Sequence, residues 1–251
     1  MRRQRRRRAR RFSVGELAFR VTTDTRTPVP GGPAVVLVHG IGMSSRYLAK
    51  LHDALLPDAA VFSVDLPGFA GLPKPRGDVD VETMAAALAE VVASLDAGPV
   101  VLVGHSMGTQ WAVELGVQRP DLVSHVVIIG PVTDVAHRSA GAQLRALSVD
   151  TLLETPGTNW IVATDYVRCG VPWYLAQLRP MLAYPLEERV ALLTVPLLII
   201  RGERDPIAGP EWCRLLRDRA PVASLVHIPG RPHNAQRSAP RAVAAAILAH
   251  A

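Results

Sequence analysis

Three side chains that can together activate a hydroxyl nucleophile each follow a predicted buried strand. They are Ser106, Asp205 and His233, in that order along the chain. A serine hydroxyl is a poor nucleophile at neutral pH, so it needs a neighbouring base, and the base needs a carboxylate that holds its tautomer. In open α/β sheets the functional groups lie at the carboxyl ends of the strands, so we expect the three side chains to converge there. The chemistry that this set predicts is acyl transfer through a covalent serine intermediate.

The serine lies in a glycine-flanked turn between a strand and a helix. Residues 100–103 are consecutive apolar residues typical of a buried strand, and a helical pattern extends over residues 107–117. Gly104 and Gly108 leave room for a strained turn in which the hydroxyl of Ser106 stands clear at the sheet edge. A glycine-rich turn with an incidental serine is the alternative, and the strand before it and the helix after it favour the functional interpretation.

A second turn offers backbone amides to the same site. The apolar residues 34–38 predict another buried strand, which leads directly into His39-Gly40-Ile41-Gly42. We expect the backbone N–H groups of Ile41 and Met107 to donate hydrogen bonds to an oxyanion that develops beside the serine. An ordinary tight turn before a helix at residues 44–56 is the alternative.

The length and composition indicate one large α/β domain. The chain has 251 residues, of which 49% are hydrophobic and 20% are charged, so a complete core can form. The sequence lacks an apolar run of about 18 residues or more, which predicts that nothing spans a membrane. Cys169 and Cys213 do not have the spacing of a metal or redox site. We expect reduced, structural thiols in a cytoplasmic protein, with one disulfide as the alternative.

The basic character of the chain comes from its first residues. The formal net charge is +6, and residues 2–11 hold eight arginines, so the remainder is close to neutral. Such a dense run of like charges repels itself, and we predict a disordered tail over residues 1–11. We interpret it as a solvated extension, with weak contact to a polyanion, either nucleic acid or acidic lipid, as the alternative. An export signal is disfavoured because no hydrophobic segment follows the arginines.

The remaining elements alternate between strands and helices. Rough alternation over residues 14–22 predicts an antiparallel edge strand. Further strands are predicted at 34–38, 60–65, 100–103, 124–129, 195–200 and 224–228, with helices at about 44–56, 79–95, 107–117, 210–219 and 239–250. This repeated order implies a parallel sheet with right-handed crossovers.

Regularity breaks between residues 131 and 190, where about sixty residues pass without a clear buried strand. A loop this long inside a compact domain is normally an inserted element with a function, and we predict a helical cap over the sheet edge. Aromatic side chains concentrate there, and we expect an apolar substrate pocket. The predicted pocket residues are His39, Gly40, Phe69, Trp160, Tyr166, Trp173 and Tyr174. The alternative is that the aromatic side chains pin the insertion to the core, and that Phe69 only fills its loop.

Five short motifs together resemble those of the α/β-hydrolase fold, over about residues 14–251. They are His39-Gly40-Ile41-Gly42, Asp65-Leu66-Pro67-Gly68-Phe69, Gly104-His105-Ser106-Met107-Gly108, Gly202-Glu203-Arg204-Asp205-Pro206 and Pro229-Gly230-Arg231-Pro232-His233. The order of nucleophile, acid and histidine along the chain is also similar to that of this fold. The resemblance implies a mostly parallel, doubly wound sheet, with a hydrolase core at residues 12–130 and 191–251 and a helical cap inserted at residues 131–190.

The resemblance also implies a role for each site residue. Ser106 would be the nucleophile, His233 the general base and then the general acid, and Asp205 the carboxylate that orients the histidine. The two amides named above would form the oxyanion hole. Asp134 follows a strand at a place where some members of this superfamily keep their acid, and it remains the alternative to Asp205. A serine at the nucleophile position argues against relatives that open epoxides or displace halide with an aspartate.

The residues and the resemblance predict a serine hydrolase of the esterase type. Its substrate would be an ester of a small to medium apolar acyl compound, and we expect neither a metal nor a cofactor, since the sequence has no nucleotide-binding loop and no cluster of metal ligands. A thioesterase, a lactonase and a hydrolase of carbon–carbon bonds would use the same triad and remain open. A protein that uses the fold to bind a ligand without catalysis is disfavoured by the intact triad.

Overall fold

An eight-stranded sheet forms the centre of the computed structural model, which describes residues 7–24, 31–134, 141, 149–150 and 152–251. The strands are Arg7–Val14 (β1), Leu17–Asp24 (β2), Ala34–Val38 (β3), Ala60–Asp65 (β4), Val100–His105 (β5), Val123–Ile129 (β6), Leu197–Gly202 (β7) and Ala223–Ile228 (β8). Their order across the sheet is β1-β2-β4-β3-β5-β6-β7-β8. The strands from β4 to β8 pair in parallel, as the alternation of strands and helices predicts.

Helices cover both faces of the sheet. They are Ala49–Leu55 (α1), Val81–Ala93 (α2), Gly108–Gln118 (α3), Pro156–Cys169 (α4), Val171–Ala183 (α5), Leu186–Arg189 (α6), Pro210–Arg219 (α7), Ala235–Ser238 (α8) and Pro240–Leu248 (α9), with short 3-10 turns at Ser45–Leu48, Pro120–Leu122 and Val190–Leu192. Because side chains alternate along a strand, Val36 of β3 joins the core under α2, α3 and α7, whereas Val35 and Leu37 join the core under α1 and α9. The sheet is therefore doubly wound, as the sequence predicts.

The arginine-rich N-terminus is partly ordered, which corrects the predicted disordered tail. Residues 7–11 belong to β1, which pairs antiparallel with β2, and β2 pairs antiparallel with β4. The like charges are tolerated because β1 is an edge strand whose arginine side chains are exposed to water, and Arg7 also donates to Asp53 at 2.9 Å. Residues 1–6 lie outside the described residues. The antiparallel strand predicted at residues 14–22 is the second strand of the sheet, since β1 occupies the edge.

Residues 131–190, which lie within the segment between β6 and β7, are called the insertion below. Its described part contains α4, α5 and α6, and residues 149–150 and 152–153 are also helical. Residues 135–140, 142–148 and 151 of the predicted cap lie outside the described residues. The helical character predicted for the insertion is present in the described part, and the domain boundaries at 131 and 190 stay a prediction.

Both cysteines are buried free thiols, so the disulfide alternative is not realised. Cys169 is the last residue of α4, and Cys213 lies in α7. Within the described ranges, none of the helices combines the length and the hydropathy that crossing a bilayer requires.

Candidate active site

The turn that carries Ser106 has the strained geometry that its sequence predicts. β5 ends at His105, α3 begins at Gly108, and Ser106 between them has a φ of 56°. This left-handed conformation costs a residue other than glycine roughly 1–3 kcal/mol, so the surrounding structure must impose it. A Cβ atom at Gly104 would collide with the carbonyl oxygen of Gly108, and one at Gly108 would lie 2.6 Å from the carbonyl oxygen of His39. The two glycines therefore allow β5, α3 and the turn after β3 to approach closely.

Asp205 and His233 form a buried hydrogen-bonded pair after the carboxyl ends of β7 and β8. Nδ1 of His233 lies 2.9 Å from Oδ2 of Asp205, and Nδ1 is the donor because a carboxylate only accepts. Oδ1 of Asp205 accepts from the backbone N–H groups of Ile207 at 2.8 Å and Ala208 at 2.9 Å. Nε2 of His233 is buried and has no hydrogen-bond partner among the described residues. When the ring is neutral and Nδ1 carries the hydrogen, Nε2 therefore has a free lone pair that can accept a proton.

The charges around His233 favour its protonated form. Burial alone would lower the pKa of the imidazole. The charge and hydrogen bond of Asp205 act in the opposite direction and, with the carboxylates of Asp150 and Glu154, raise that pKa to about 9. Burial in turn raises the pKa of Asp205, but the charge and hydrogen bond of His233 and two backbone amides outweigh it and lower that pKa below its ordinary value. The ionised carboxylate of Asp205 therefore makes the imidazole of His233 a stronger base.

Ser106 and His233 line the same cavity, which has a volume of about 80 Å³. The core contributes Ile41, Met43, Tyr47, Ser106, His233 and Asn234 to its walls, and the insertion contributes Asp150, Asn159, Val162 and Tyr166. The cavity therefore lies between the sheet edge and the insertion. In the part of the chain that the structure describes, no group of three histidine, cysteine or acidic side chains is placed to hold a metal ion.

The turn after β3 lies directly against the serine. A Cβ atom at Gly40 would lie 2.8 Å from Cβ of Ser106, so glycine is required there. Ile41 lines the cavity, and Met107 is buried directly after the serine, where α3 begins. Backbone N–H groups at a helix amino terminus carry the positive end of its dipole, which suits an anion. The assignment of the Ile41 and Met107 amides to an oxyanion hole remains a prediction with which this placement agrees.

The geometry favours Asp205 over Asp134 as the acid that holds the histidine. Asp205 makes the hydrogen bond to Nδ1 of His233 described above. Asp134 follows β6, and its Oδ2 would lie 3.7 Å from a Cβ atom placed at Gly209. The turn after β7 thus delivers the carboxylate that the sequence order predicts.

The aromatic side chains of the insertion divide into three groups. Tyr166 lines the cavity, and the ring centre of Tyr174 lies 5.3 Å from that of Tyr166. Trp160 does not line the cavity, and the residue is 70% exposed. Trp173 is buried in the core instead. Of the aromatic residues predicted to form the pocket, only Tyr166 therefore lines the cavity, and Tyr174 packs against it.

Two residues predicted to line the pocket from the core have structural positions instead. Phe69 is fully buried, with ring centres 6.2 Å from Trp111 and 6.1 Å from Trp173. His39 is also buried, and its Nε2 accepts from the backbone N–H of Leu66 at 3.1 Å. Phe69 and Trp173 thus pin the insertion to the core, and His39 holds the turn after β3 against the loop after β4.

Two carboxylates of the insertion contact the histidine loop, and no sequence prediction included them. Oδ1 of Asp150 accepts from the backbone N–H of His233 at 2.9 Å, and Oε1 of Glu154 accepts from the backbone N–H of Asn234 at 3.0 Å. The backbone N–H of Glu154 donates to the carbonyl of Asp150 at 3.0 Å, as in a helical turn, so both side chains share one helix face. Their spacing of four residues was the available signal, and it does not reveal which loop they contact.

A tyrosine and a histidine support the same loop from the core. The hydroxyl of Tyr47 donates to Oδ1 of Asn234 at 2.6 Å and also lies against Nδ1 of His105, at 2.5 Å. Nε2 of His105 also lies 3.1 Å from the carbonyl oxygen of His233. Burial lowers the pKa of His105 well below its ordinary value, and the charge of His233 lowers it further. His105 is therefore a neutral support of the loop.

Comparison with known proteins gives a family and a fold. The profile described as "Alpha/beta hydrolase family" matches residues 35–246. The (E)-2-((N-methylformamido)methylene)succinate hydrolase of Acinetobacter baylyi is 25% identical over 236 residues, which cover 87% of this chain and 90% of that protein. An uncharacterized protein of Mycobacterium tuberculosis is 35% identical over 98 residues, 39% of this chain, and the match spans only 29% of that protein's length. The solved structure of the enol-lactonase from Burkholderia xenovorans superimposes with a TM-score of 0.81 at 18% identity, covering 96% of this chain and 99% of that chain.

Proposed function

The chain belongs to the alpha/beta hydrolase family, and from this premise we propose that it is a serine hydrolase that cleaves esters through an acyl-enzyme. The observation that carries the proposal is the arrangement around one cavity. Ser106 stands there on its strained turn, and His233 presents an Nε2 without a partner among the described residues. Asp205 holds the other ring nitrogen. These are the parts that an activated serine requires.

In the proposed reaction, the hydroxyl of Ser106 attacks the ester carbonyl carbon while Nε2 of His233 takes its proton. The resulting imidazolium is stabilised by the ionised Asp205, and the amides of Ile41 and Met107 stabilise the oxyanion. Collapse of the intermediate expels the alcohol, which takes the proton from His233, and leaves the acyl group on the serine. His233 then activates a water molecule that releases the acid. Each step uses this chain and water, so we propose no metal and no cofactor.

The size and the apolar lining of the cavity favour a small acyl group as the part of the substrate that binds there. Ile41, Met43 and Val162 give apolar contact, and Tyr166 closes one side. The volume of about 80 Å³ is below the roughly 300 Å³ at which pockets for drug-sized ligands begin, so a longer chain requires movement of the insertion. We therefore propose an ester of a small to medium apolar acyl compound.

The same triad serves other acyl chemistry, and one relative's name raises a specific alternative. Thioesters, lactones and diketones, whose carbon–carbon bond is cleaved, remain second candidates because the attack on a carbonyl carbon is the same. The Acinetobacter relative is named for a substituted succinate. The described wall of the present cavity carries the carboxylate of Asp150 and neither arginine nor lysine, so we do not assign a succinate to this chain.

The experiment that tests the proposal is a panel of 4-nitrophenyl esters with acyl chains from two to twelve carbons. We expect kcat/KM to be highest for short to medium chains, and Ser106→Ala to lower it at least about 10⁴-fold while circular dichroism and the melting temperature stay close to those of the parent. An inactive parent that nevertheless binds acyl compounds would support the ligand-binding alternative. Retained activity in Ser106→Ala would overturn the assignment of the nucleophile.

We also propose that the exposed arginines of β1 make weak contact with a polyanion. Arg8, Arg10 and Arg11 lie on the edge strand with their side chains in water. Replacing all three by glutamine should weaken retention on heparin and lower its dependence on salt, because fewer counterions are released. The double variant Arg214→Gln and Arg219→Gln, which removes charge from α7, is the control. Equal retention of the parent and the β1 variant would rule out this contact.

A further inference from the structure

The cavity carries an acidic side chain that exchanges no proton in the proposed reaction. Asp150 belongs to the insertion, is 6% exposed, and lines the cavity together with Ser106 and His233. A buried carboxylate is unfavourable unless it is hydrogen-bonded or paired with a cation. Its position beside the reacting groups therefore needs an explanation.

Neutral groups hold the carboxylate of Asp150 in place. Oδ1 accepts from the backbone N–H of His233 at 2.9 Å, and Oδ2 accepts from Nδ2 of Asn234 at 3.4 Å. Among the described residues, no lysine or arginine forms an ion pair with Asp150 or lines the cavity. The hydrogen bonds fix the position of the carboxylate at the cavity wall, and none of the described partners neutralises its charge there.

The charges around the cavity sum to a negative value in the described structure. Three carboxylates surround one imidazole, since Asp205 bonds the ring of His233 and Asp150 and Glu154 act on it from the insertion. Even when His233 is protonated, it supplies one positive charge against three acidic side chains. Tyr47 and Tyr166 also face the site, and burial raises the pKa of both hydroxyls, so both remain neutral.

We infer that Asp150 is a specificity-determining residue, which admits uncharged acyl groups to the cavity and rejects anionic ones. This inference rests on the proposed esterase function and names the substrate class of the same site. An anionic acyl group that enters the cavity would lie beside a charge of the same sign inside the protein, where like charges repel more strongly than they do in water. An uncharged acyl group of the same shape avoids that repulsion.

The protonation of Asp150 offers an independent way to observe the effect. Burial raises the pKa of Asp150 to about 6, although the charge and backbone hydrogen bond of His233 act to lower it. The carboxylates of Glu154 and Asp205 also raise this pKa. At pH 7.5 the side chain is therefore mostly charged, and near pH 5 it is mostly neutral. Rejection of anions should weaken as the pH falls.

The test uses two 4-nitrophenyl esters of nearly identical shape. One carries a 4-carboxybutanoyl group, which is anionic, and the other a 4-carbamoylbutanoyl group, which is neutral. The readout is the ratio of the two kcat/KM values, each corrected with Ser106→Ala for spontaneous hydrolysis. The variant Asp150→Asn removes the charge and keeps an oxygen that can accept from His233. Glu154→Gln, one helical turn further, is the matched control because Glu154 does not line the cavity.

We expect the parent to prefer the neutral ester by about 30-fold or more at pH 7.5, and Asp150→Asn to reduce that preference about tenfold. Glu154→Gln should reduce it less than about threefold, since its charge is further from the cavity. In the parent, the preference should also fall between pH 7.5 and pH 5.5. Protonation of His233 slows both esters equally, so it cancels in the ratio.

The results separate this inference from the function on which it rests. If neither ester is hydrolysed by the parent, the esterase proposal fails. If the neutral ester is hydrolysed but the ratio is the same in the parent and in Asp150→Asn, the esterase proposal stands and the role of Asp150 is overturned. Should Asp150→Asn fail to fold, the ratio measured in the parent from pH 7.5 to pH 5.5 decides, and a constant ratio contradicts the inference.

Discussion

The sheet edge and the insertion build the two sides of the cavity in different ways. At the sheet edge, backbone geometry sets the positions, through the φ of 56° at Ser106 and the glycine contacts around it. On the insertion side, the positions depend on side chains carried by helices. The outer surface of the insertion is also unusually apolar. Its exposed large hydrophobic residues are Val149, Leu152, Leu153, Trp160, Val167, Val171 and Leu175. Of the described residues outside the insertion, only Leu192 and Val222 belong to this class.

The two sides are joined by polar contacts between side chains and loops. Ser44 donates to the buried Asp165 of α4 at 2.6 Å, and Nη1 of Arg46 lies 3.2 Å from the same carboxylate. The carboxylates of Asp150 and Glu154 likewise accept hydrogen bonds from the backbone of the loop that carries His233. In the proposed function, the core therefore supplies the reacting groups, and the insertion supplies the side chains that select the acyl group.

The largest loss of activity is expected on the core side of the cavity, when the carboxylate of Asp205 is removed. Asp205→Asn should lower kcat/KM about 10⁴-fold, since the amide cannot hold the tautomer of His233 or stabilise the imidazolium. Steady-state kinetics on the fastest ester measures this. Asp134→Asn is the control and should change kcat/KM less than about threefold. A large loss in Asp134→Asn alone would transfer the acid role to that residue.

A pair of glycine substitutions compares the stability of the two sides. Gly104→Ala should lower the free energy of unfolding by about 3 kcal/mol or more, because the new Cβ collides with the backbone at Gly108. Gly157→Ala in α4 meets no atom within 4 Å and should raise the free energy of unfolding by about 0.5 kcal/mol, since alanine favours a helix. Urea unfolding measures both. Similar changes in the free energy of unfolding for the two variants would show that backbone packing is no tighter at the sheet edge than in the insertion.

The pH profile tests whether the insertion tunes the base in the core. His233 must be neutral to accept a proton, and its pKa is raised, so kcat/KM should increase with pH through an apparent pKa between 6.5 and about 9. Glu154→Gln removes a charge that raises this pKa and should move the rising limb to lower pH by up to about one unit. Kinetics with the neutral ester from pH 5 to pH 10 measures the limb. An apparent pKa below 6.5 in the parent would contradict the account.

The smallest effect is expected on the outer face of the insertion. Trp160→Ser replaces a side chain that is mostly in water and should change kcat/KM less than about twofold and the free energy of unfolding less than about 0.5 kcal/mol. Trp173→Ala is the contrast, because that ring is buried against Phe69 and its loss should cost about 3–5 kcal/mol. A loss of more than about tenfold with long-chain esters in Trp160→Ser would place this residue on the substrate path.

The parts of the molecule that were predictable are those whose function depends on local backbone geometry. The glycines at 104 and 108 reveal the strained turn, and strand ends place Asp205 and His233 near it, so the hydrogen bond between them could be anticipated. Apolar runs likewise predicted the parallel strands. Each of these signals lies within a few residues of the feature that it predicts.

The rest depends on contacts between distant segments, for which one sequence gives no signal. Phe69 and Trp160 are both aromatic and near a turn or helix, yet the first is buried in the core and the second is in water. Asp150 looks like an ordinary helical acid until the insertion folds onto the histidine loop. The arginines of residues 7–11 repel one another, and pairing of β1 with β2 outweighs that repulsion.

The central claim is that Ser106 is activated by His233. The most direct measurement is labelling of the intact protein with a fluorophosphonate probe, followed by digestion and mass spectrometry to locate the adduct. We expect a single adduct on Ser106 in the parent, no adduct in Ser106→Ala, and labelling at least about 10³-fold slower in His233→Ala. A parent that stays unlabelled, or a His233→Ala variant labelled as fast as the parent, would contradict it.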